Sequence, residues 1–258
     1  MNGIDIKNIT RSYKLPDRKN ELIFEKFNMT VQKNEIVGIF GPNGCGKTTL
    51  LNMTAGIIKP DSGDIFIFNK KPSENRIAYI FQDYRSSLFP WLTVRENILF
   101  PLTIKGISKK EKNNCLEKLI DLIKIPFNIN KYPYQLSGGQ QQYVSIMRCL
   151  ISNPAVMLID EPFSALDYSN SIWLMEKISI IFQTVTIPSM IVAHDIEHLV
   201  YLADKVYFLS GKPVRIIGER LISFHGQTNK VDFNSGGIRE FKEEMMHYYS
   251  KKEACSWD

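Results

Sequence analysis

Ile36-Val37-Gly38-Ile39-Phe40-Gly41-Pro42-Asn43-Gly44-Cys45-Gly46-Lys47-Thr48 is the stretch that decides the fold. It opens on a continuous apolar run, fit for a strand buried on both faces of a sheet. From Gly41 it fits G-x-x-x-x-G-K-[ST], a phosphate-binding loop. The glycines lack a side chain, so the backbone can turn tightly and approach a ligand. A helical stretch, Gly46 to Ala55, follows directly. Its N-terminus aims unpaired N–H groups and a positive dipole end at the phosphates. Lys47 adds a point charge beside the β and γ groups, and Thr48 offers a hydroxyl to Mg²⁺. Strand before and helix after are the context such a loop requires.

Outward from this loop the chain reads as an α/β core with a helix-rich insertion. Ile4-Asp5-Ile6 and Met29-Thr30-Val31 alternate as half-buried strands do. Pro60-Asp61-Ser62-Gly63 is turn chemistry, with Ile65-Phe66-Ile67-Phe68 and Ile77-Ala78-Tyr79-Ile80-Phe81 as further strands. From about Asp83 to Ser152 helical spacing takes over. There Cys115, Leu119, Leu122 and Ile123 share one face, opposite Glu117, Lys118 and Asp121. Val156-Met157-Leu158-Ile159, Ser189-Met190-Ile191-Val192-Ala193 and Lys205-Val206-Tyr207-Phe208-Leu209 return to buried strands. The tail from Arg239 to Lys252 mixes charge signs and reads as a solvated terminal helix.

Composition narrows the class. The 258 residues suffice for one large domain or two small ones with a self-supporting core. The net charge of +5 is mild and reads as a slightly basic solvated surface. The four cysteines, Cys45, Cys115, Cys149 and Cys255, lack CxxC spacing, so neither a zinc site nor a redox pair is expected. Their scatter and the missing secretory leader point to reduced thiols in a cytosolic compartment. No run approaches the ~20 apolar residues of a spanning helix. Membrane association is therefore expected to be peripheral, through a partner. No basic-aromatic interleaving suggests nucleic acid.

Three further elements choose among phosphate-loop enzymes. Val156-Met157-Leu158-Ile159-Asp160-Glu161 ends an apolar strand in two carboxylates. The first suits Mg²⁺, and the second suits orienting or deprotonating an attacking water. Leu136-Ser137-Gly138-Gly139-Gln140 opens a helix expected over Gln141 to Leu150, a second phosphate-binding surface. Two such surfaces on one chain are both used if two chains pair head to tail. His194 ends the strand Ile191-Val192-Ala193, placed for a γ-phosphate contact. Asn229-Lys230-Val231-Asp232 has the NKxD form of a guanine-reading loop, but no D-x-x-G segment accompanies it, so it reads as coincidence.

With these residues in this order, the chain resembles the nucleotide-binding subunits of ABC transporters, to about Gly218. The resemblance implies a P-loop NTPase core of the ABC ATPase type over residues 1–220. It also implies an N-terminal antiparallel β subdomain, an inserted α-helical subdomain at about 83–152, and a C-terminal extension at 221–258. It implies ATP and Mg²⁺ as ligands. Tyr13 looks like the aromatic that stacks on adenine, with Gly41–Thr48 and Thr49 around the phosphates. Gln82 looks like the Q-loop glutamine that reaches metal and water, beside Thr48 and Asp160. Ser164-Ala165-Leu166-Asp167 looks like the D-loop at the dimer seam. Lys47, Gln82, Glu161 and His194 would act on the transferring phosphoryl group, while Ser137, Gly138, Gly139 and Gln140 would clamp the nucleotide of a second ATPase subunit, identical or homologous.

A finer resemblance lies in Leu88-Phe89-Pro90-Trp91-Leu92-Thr93-Val94-Arg95-Glu96-Asn97, similar to importers for nitrate, sulfonates, taurine and pyrimidine-like precursors. Cys45 and Tyr132-Pro133 fit the same group. It implies a permease partner at the cytoplasmic face of the membrane and, indirectly, an external solute-binding protein. The chain departs from the family at Gln141-Gln142-Tyr143 and Ile146-Met147-Arg148, where two usual cations are missing beside the signature helix. His225 to Gly237 has no parallel. A soluble ABC ATPase acting as a scaffold is the alternative. A chromosome ATPase is excluded because Lys47 and Ser137 are too close in sequence for an intervening coiled coil. A two-cassette translation factor is excluded because there is one phosphate loop.

Overall fold

The structure, a computed structural model, describes residues 2–14, 20–83 and 86–222, with helical positions 242–244, 246–247 and 249–251 of the tail. Asn229–Asp232, His225–Gly237 and Cys255 lie outside the described residues. The fold is mixed α/β. Strands β1 (Asn2–Lys14), β2 (Asn20–Gln32) and β4 (Ser62–Ile67) form an antiparallel sheet in the order β2-β1-β4. The second sheet has the order β5-β6-β7-β3-β8-β9, from β3 (Ile36–Phe40), β5 (Ile77–Ile80), β6 (Val156–Asp160), β7 (Ser189–Val192), β8 (Lys205–Leu209) and β9 (Ile216–Leu221). Strands β5, β6, β7, β3 and β8 run parallel, and β9 closes the edge antiparallel. Val156–Ile159 and Met190–Val192 are wholly buried, as strands covered on both faces must be.

Helices α2 (Val94–Ile104), α3 (Lys109–Ile123) and α4 (Gly138–Leu150) lie between β5 and β6 in the chain. Thr93 and Ser108 cap α2 and α3, each with a glutamate three residues on returning the bond. The buried face of α3 is Leu116, Leu119 and Ile123, whereas Leu122 is exposed and Cys115 only half-buried. The observed face shares Leu119 and Ile123 with the expected one, and its centre lies roughly 50° round the helix from it. The signature helix starts at Gly138, earlier than Gln141, because Ser137 and Gln140 form a capping box that fixes its first turn.

Where the sequence departs from the expected basic pattern, α4 carries a core aromatic. Tyr143 is fully buried, and its hydroxyl donates to the carbonyl of Ile123 at 3.1 Å, at the end of α3. Its ring meets Phe127 and Trp173 edge-on, the latter on α5 (Tyr168–Thr184). An aromatic core contact thus ties α3, α4 and α5 together. The tail also differs from a solvated helix. Tyr249 is buried and meets Phe40 edge-on at 5.5 Å, while Lys242 pairs with Glu197 on α6 (Ile196–Leu202). The charge pattern hid one aromatic anchor that finds the end of β3.

Replacing Tyr143 by Phe keeps the ring contacts and strands the Ile123 carbonyl. The expected loss is about 1 kcal/mol of stability, read from the urea midpoint at unchanged slope.

Candidate functional site

The parallel strands deliver their C-terminal ends to one place. Ile39 pairs with Val192, and Val192 pairs with Asp160, so β3, β7 and β6 end level. Ile80 pairs with Ile159, which brings β5 and the following Gln82 to the same edge. Ligands of open α/β sheets bind at such strand ends.

The loop after β3 has the backbone its glycines were read for. Gly44 has φ 73° and Gly46 has φ 130°, both in the region that favours glycine. At Gly46 a Cβ would also lie 2.7 Å from Ile23 Cγ2 and 3.2 Å from the Phe24 ring. Helix α1 (Lys47–Thr54) has no acidic residue in its first turn to compete for its N–H groups. Lys47 is buried and donates from Nζ to the carbonyls of Gly41 and Pro42, both at 2.9 Å. Gly41, Pro42, Asn43 and His194 line one cleft with Met246 and Tyr249. Cys45 is buried, and that burial pushes its thiol up, so it is a packing group and not a nucleophile.

Beside the loop stand the two carboxylates. Asp160 is buried, and its Oδ1 has no hydrogen-bond partner among the described residues. Burial raises its carboxyl above the usual range, Glu161 adds to the rise, and the Thr48 hydroxyl and the Lys47 charge oppose it. A buried acceptor without a donor is rare in native proteins. Here it lies beside a threonine hydroxyl, and an oxygen-rich pair of this kind suits a hard cation such as Mg²⁺.

Glu161 sits at φ 46°, strained for a residue with a side chain, and its N–H donates to Val192 O at 3.0 Å. Its Oε2 meets His194 Nε2 at 2.5 Å and accepts from Gln82 Nε2 at 3.1 Å. Ser164, from the expected D-loop, accepts from Gln82 at 3.3 Å and donates to the Glu161 carbonyl at 3.1 Å. Glu161, His194, Gln82 and Ser164 thus form one connected group. An aligned acceptor, an imidazole and an amide around one point can hold a water and meet developing charge.

The remaining expected residues lie elsewhere. Ser137 and Gly139 head α4, where the Ser137 hydroxyl donates to Asn170 Oδ1 at 2.8 Å. Asn170 Nδ2 in turn donates to Asp167, the cap of α5. The expected signature and D-loop segments are therefore joined within the chain by Asn170, which the sequence reading did not single out. Its only sequence signal is the Asp-x-x-Asn start of α5. Thr49 lies in the first turn of α1. Tyr13 is half-buried on β1, with the Arg11 guanidinium 4.7 Å from its ring centre. It pairs with Glu21 on β2, the strand whose Ile23 touches Gly46.

A family model described as ABC transporter matches residues 24–164. The chain is 36% identical over 234 residues to the aliphatic sulfonates import ATP-binding protein SsuB of Bacillus cereus, covering 88% of each. It is 37% identical over 220 residues to the spermidine/putrescine import ATP-binding protein PotA of Fusobacterium nucleatum, covering 83% of this chain and 57% of that one. A solved structure of the ATP-binding cassette MJ0796, dimeric and bound to ADP and Pi, superposes with a TM-score of 0.71 at 28% identity, covering 85% of this chain and 98% of that chain. The class is therefore the ATPase cassette. The chain belongs to the ABC transporter family, as an ATP-binding subunit.

The Asp160 environment sets a pH signature. Its raised carboxyl means that ionisation opposes folding, fully so at neutral pH and not at all once the group is protonated in both states. Asp160→Asn should therefore raise the melting temperature of the nucleotide-free chain at neutral pH. The gain should shrink as pH falls into the ordinary carboxylate range. A thermal-shift series against pH checks it, and an unchanged or lower melting point at neutral pH would contradict it.

Proposed function

We propose that this chain powers an ABC importer by hydrolysing Mg-ATP at sites shared between two cassettes. The observation that carries the proposal is the meeting of Gln82, Ser164 and His194 on Glu161, beside a phosphate loop and a buried unsatisfied Asp160. In this reading Gly41–Thr48 and Thr49 hold the phosphates, and Tyr13 takes the adenine. Lys47 leaves the loop carbonyls for the β and γ groups. Glu161 positions the attacking water, and Gln82 and His194 meet the charge that develops as the bond breaks. Thr48, Asp160 and Gln82 would hold Mg²⁺. When bound, that cation neutralises phosphate charge.

Ser137 and Gly139 lie against Asn170, and none of Ser137, Gly138, Gly139 and Gln140 lines either cleft beside the phosphate loop. A second subunit, identical or homologous, would present them to this chain's nucleotide and receive this chain's in return. The dimeric MJ0796 cassette supports that arrangement. Among the described residues no helix is long and apolar enough to cross a membrane, so the transport path would belong to a permease partner. The helical segment at about 83–152 would receive it. Trp91 stands 70% exposed, on a loop that the buried Asn97 side chain pins through the carbonyls of Phe89, Leu92 and Thr93 at 3.0 Å each. The indole meets the Phe89 ring at 5.5 Å and leaves its outer face open on this held loop, where a permease segment would pack. The Leu88–Asn97 segment favours the nitrate, sulfonate and taurine class of importer, with an external binding protein selecting the solute, over the polyamine class named for PotA.

Glu161→Gln should retain ATP binding and lose turnover by roughly a hundredfold or more. Filter binding and phosphate release measure the two, and near-normal release would remove Glu161 from the role. Pull-down of the tagged chain from detergent-solubilised membranes should recover a multi-span protein, and Trp91→Ala should weaken that recovery. A clean complex without one would favour the scaffold alternative.

A further inference from the structure

A second cleft opens beside the phosphate loop, with Thr48 on its wall. It has a volume of about 630 Å³ and is lined by Thr48, Asn52, Tyr79, Gln82, Arg148 and Asp160, among others. Two buried polar atoms on its wall lack a hydrogen-bond partner among the described residues: Asp160 Oδ1 and the Tyr79 hydroxyl. They sit on neighbouring strands. Tyr79 pairs with Leu158 across the β5–β6 ladder, and side chains alternate, so Tyr79 shares a sheet face with Leu158 and Asp160. One orphan in a native site asks for a ligand. Two orphans of complementary type, an O–H and a carboxylate oxygen, ask for an arrangement that joins them.

The ring itself is well held. Tyr79 stacks on Phe81 with centroids 4.3 Å apart, and its carbonyl accepts a weak bond from the Cys149 thiol. Its apolar part is therefore packed without help from the hydroxyl. Burial, and behind it the adjacent Asp160 carboxylate, push the Tyr79 phenol above its ordinary value.

Resting on the reading of Thr48 and Asp160 as metal ligands, we propose that Tyr79 is a positioning residue for the cation, its hydroxyl donating to the Asp160 carboxylate and fixing the carboxylate's orientation. A bond of this kind behind a metal-binding carboxylate raises affinity by holding the ligand in its bound rotamer. It would satisfy the phenol's O–H and one lone pair of the Asp160 carboxylate, whose remaining lone pairs stay available to the cation. Tyr79 touches neither nucleotide nor water in this account.

The test uses the full chain with ADP and Mn²⁺ as the paramagnetic probe, titrated by EPR. Tyr79→Phe keeps the stack on Phe81 and should weaken Mn²⁺ binding by about tenfold. Nucleotide affinity measured in EDTA should stay within twofold of the parent. Unchanged Mn²⁺ affinity in Tyr79→Phe, with Asp160→Asn still strongly weakened, would overturn the proposal and leave the metal reading standing. Unchanged affinity in both variants would overturn the metal reading itself. A loss of nucleotide affinity in EDTA equal to the loss for Mn²⁺ would mean a general loosening of the fold, and would also overturn the role given to Tyr79.

Discussion

The level register of the parallel strands β5, β6, β7 and β3 is the constraint on which the rest depends. Ile39, Val192 and Asp160 share one row, and Ile80 lies one row back beside Ile159. Gly41, His194, Glu161 and Gln82 all issue from that edge. A slip of one residue in any ladder would reverse the faces of its side chains. On β6 it would exchange the surroundings of Asp160 and Glu161. Strand alternation alone would send these two carboxylates apart. The left-handed turn at Glu161 ends the strand there and lets its side chain join Gln82 and His194, while Asp160 stays by Thr48 and Lys47. The strain at Glu161 is thus part of how one strand end serves two kinds of chemistry.

The electrostatics around Lys47 and Asp160 suit a phosphate and a cation. Lys47 holds the carbonyls of Gly41 and Pro42, which are poor partners compared with a phosphate oxygen. Asp160 keeps a buried oxygen without a donor. Both carry a cost that the surrounding core must offset, and the core can. Leu50, Leu51, Val156, Leu158 and Val192 around these groups are completely buried. Sites tuned for binding commonly hold such local instability, and stabilising changes there tend to harm function.

Much of this was legible because short-range chemistry encoded it. The run Ile36–Phe40 with its glycine loop, the acidic end of Val156–Glu161 and the Ser137 start of α4 each require only neighbouring residues to be recognised. Asn97, Asn170, Tyr143 and Tyr249 were not legible. Asn97 looks like one polar residue on an amphipathic helix, yet it holds the Phe89–Thr93 loop through its side chain. Asn170 matters because Ser137 arrives beside it from a distant segment. Tyr143 read as a departure from a basic pattern, and Tyr249 as part of a charged tail. Each takes its meaning from a partner that only tertiary packing supplies. Residues 223–241 and 252–258 lie outside what the structure describes, and the NKxD segment falls among them.

The replacement at Tyr143 bears on how α4 works. This helix carries Ser137 at its start, facing the D-loop through Asn170, and Arg148 and Cys149 at its end, on the wall of the cleft shared with Asp160. In the proposed dimer the first end serves the partner's nucleotide and the second end lies beside the chain's own. A helix fixed by surface ion pairs would loosen as salt screens them. This one is fixed by a buried phenol, by rings on α5 and on the segment after α3, and by the Arg148 guanidinium bonded to the Ser87 carbonyl. Partial burial pushes that guanidinium down from its usual value. The helix is therefore a stiff rod between two sites, and its stiffness comes from packing. The buried contacts of Tyr143 and the Arg148 bond together hold the geometry that joins Ser137 to the Asp160 cleft.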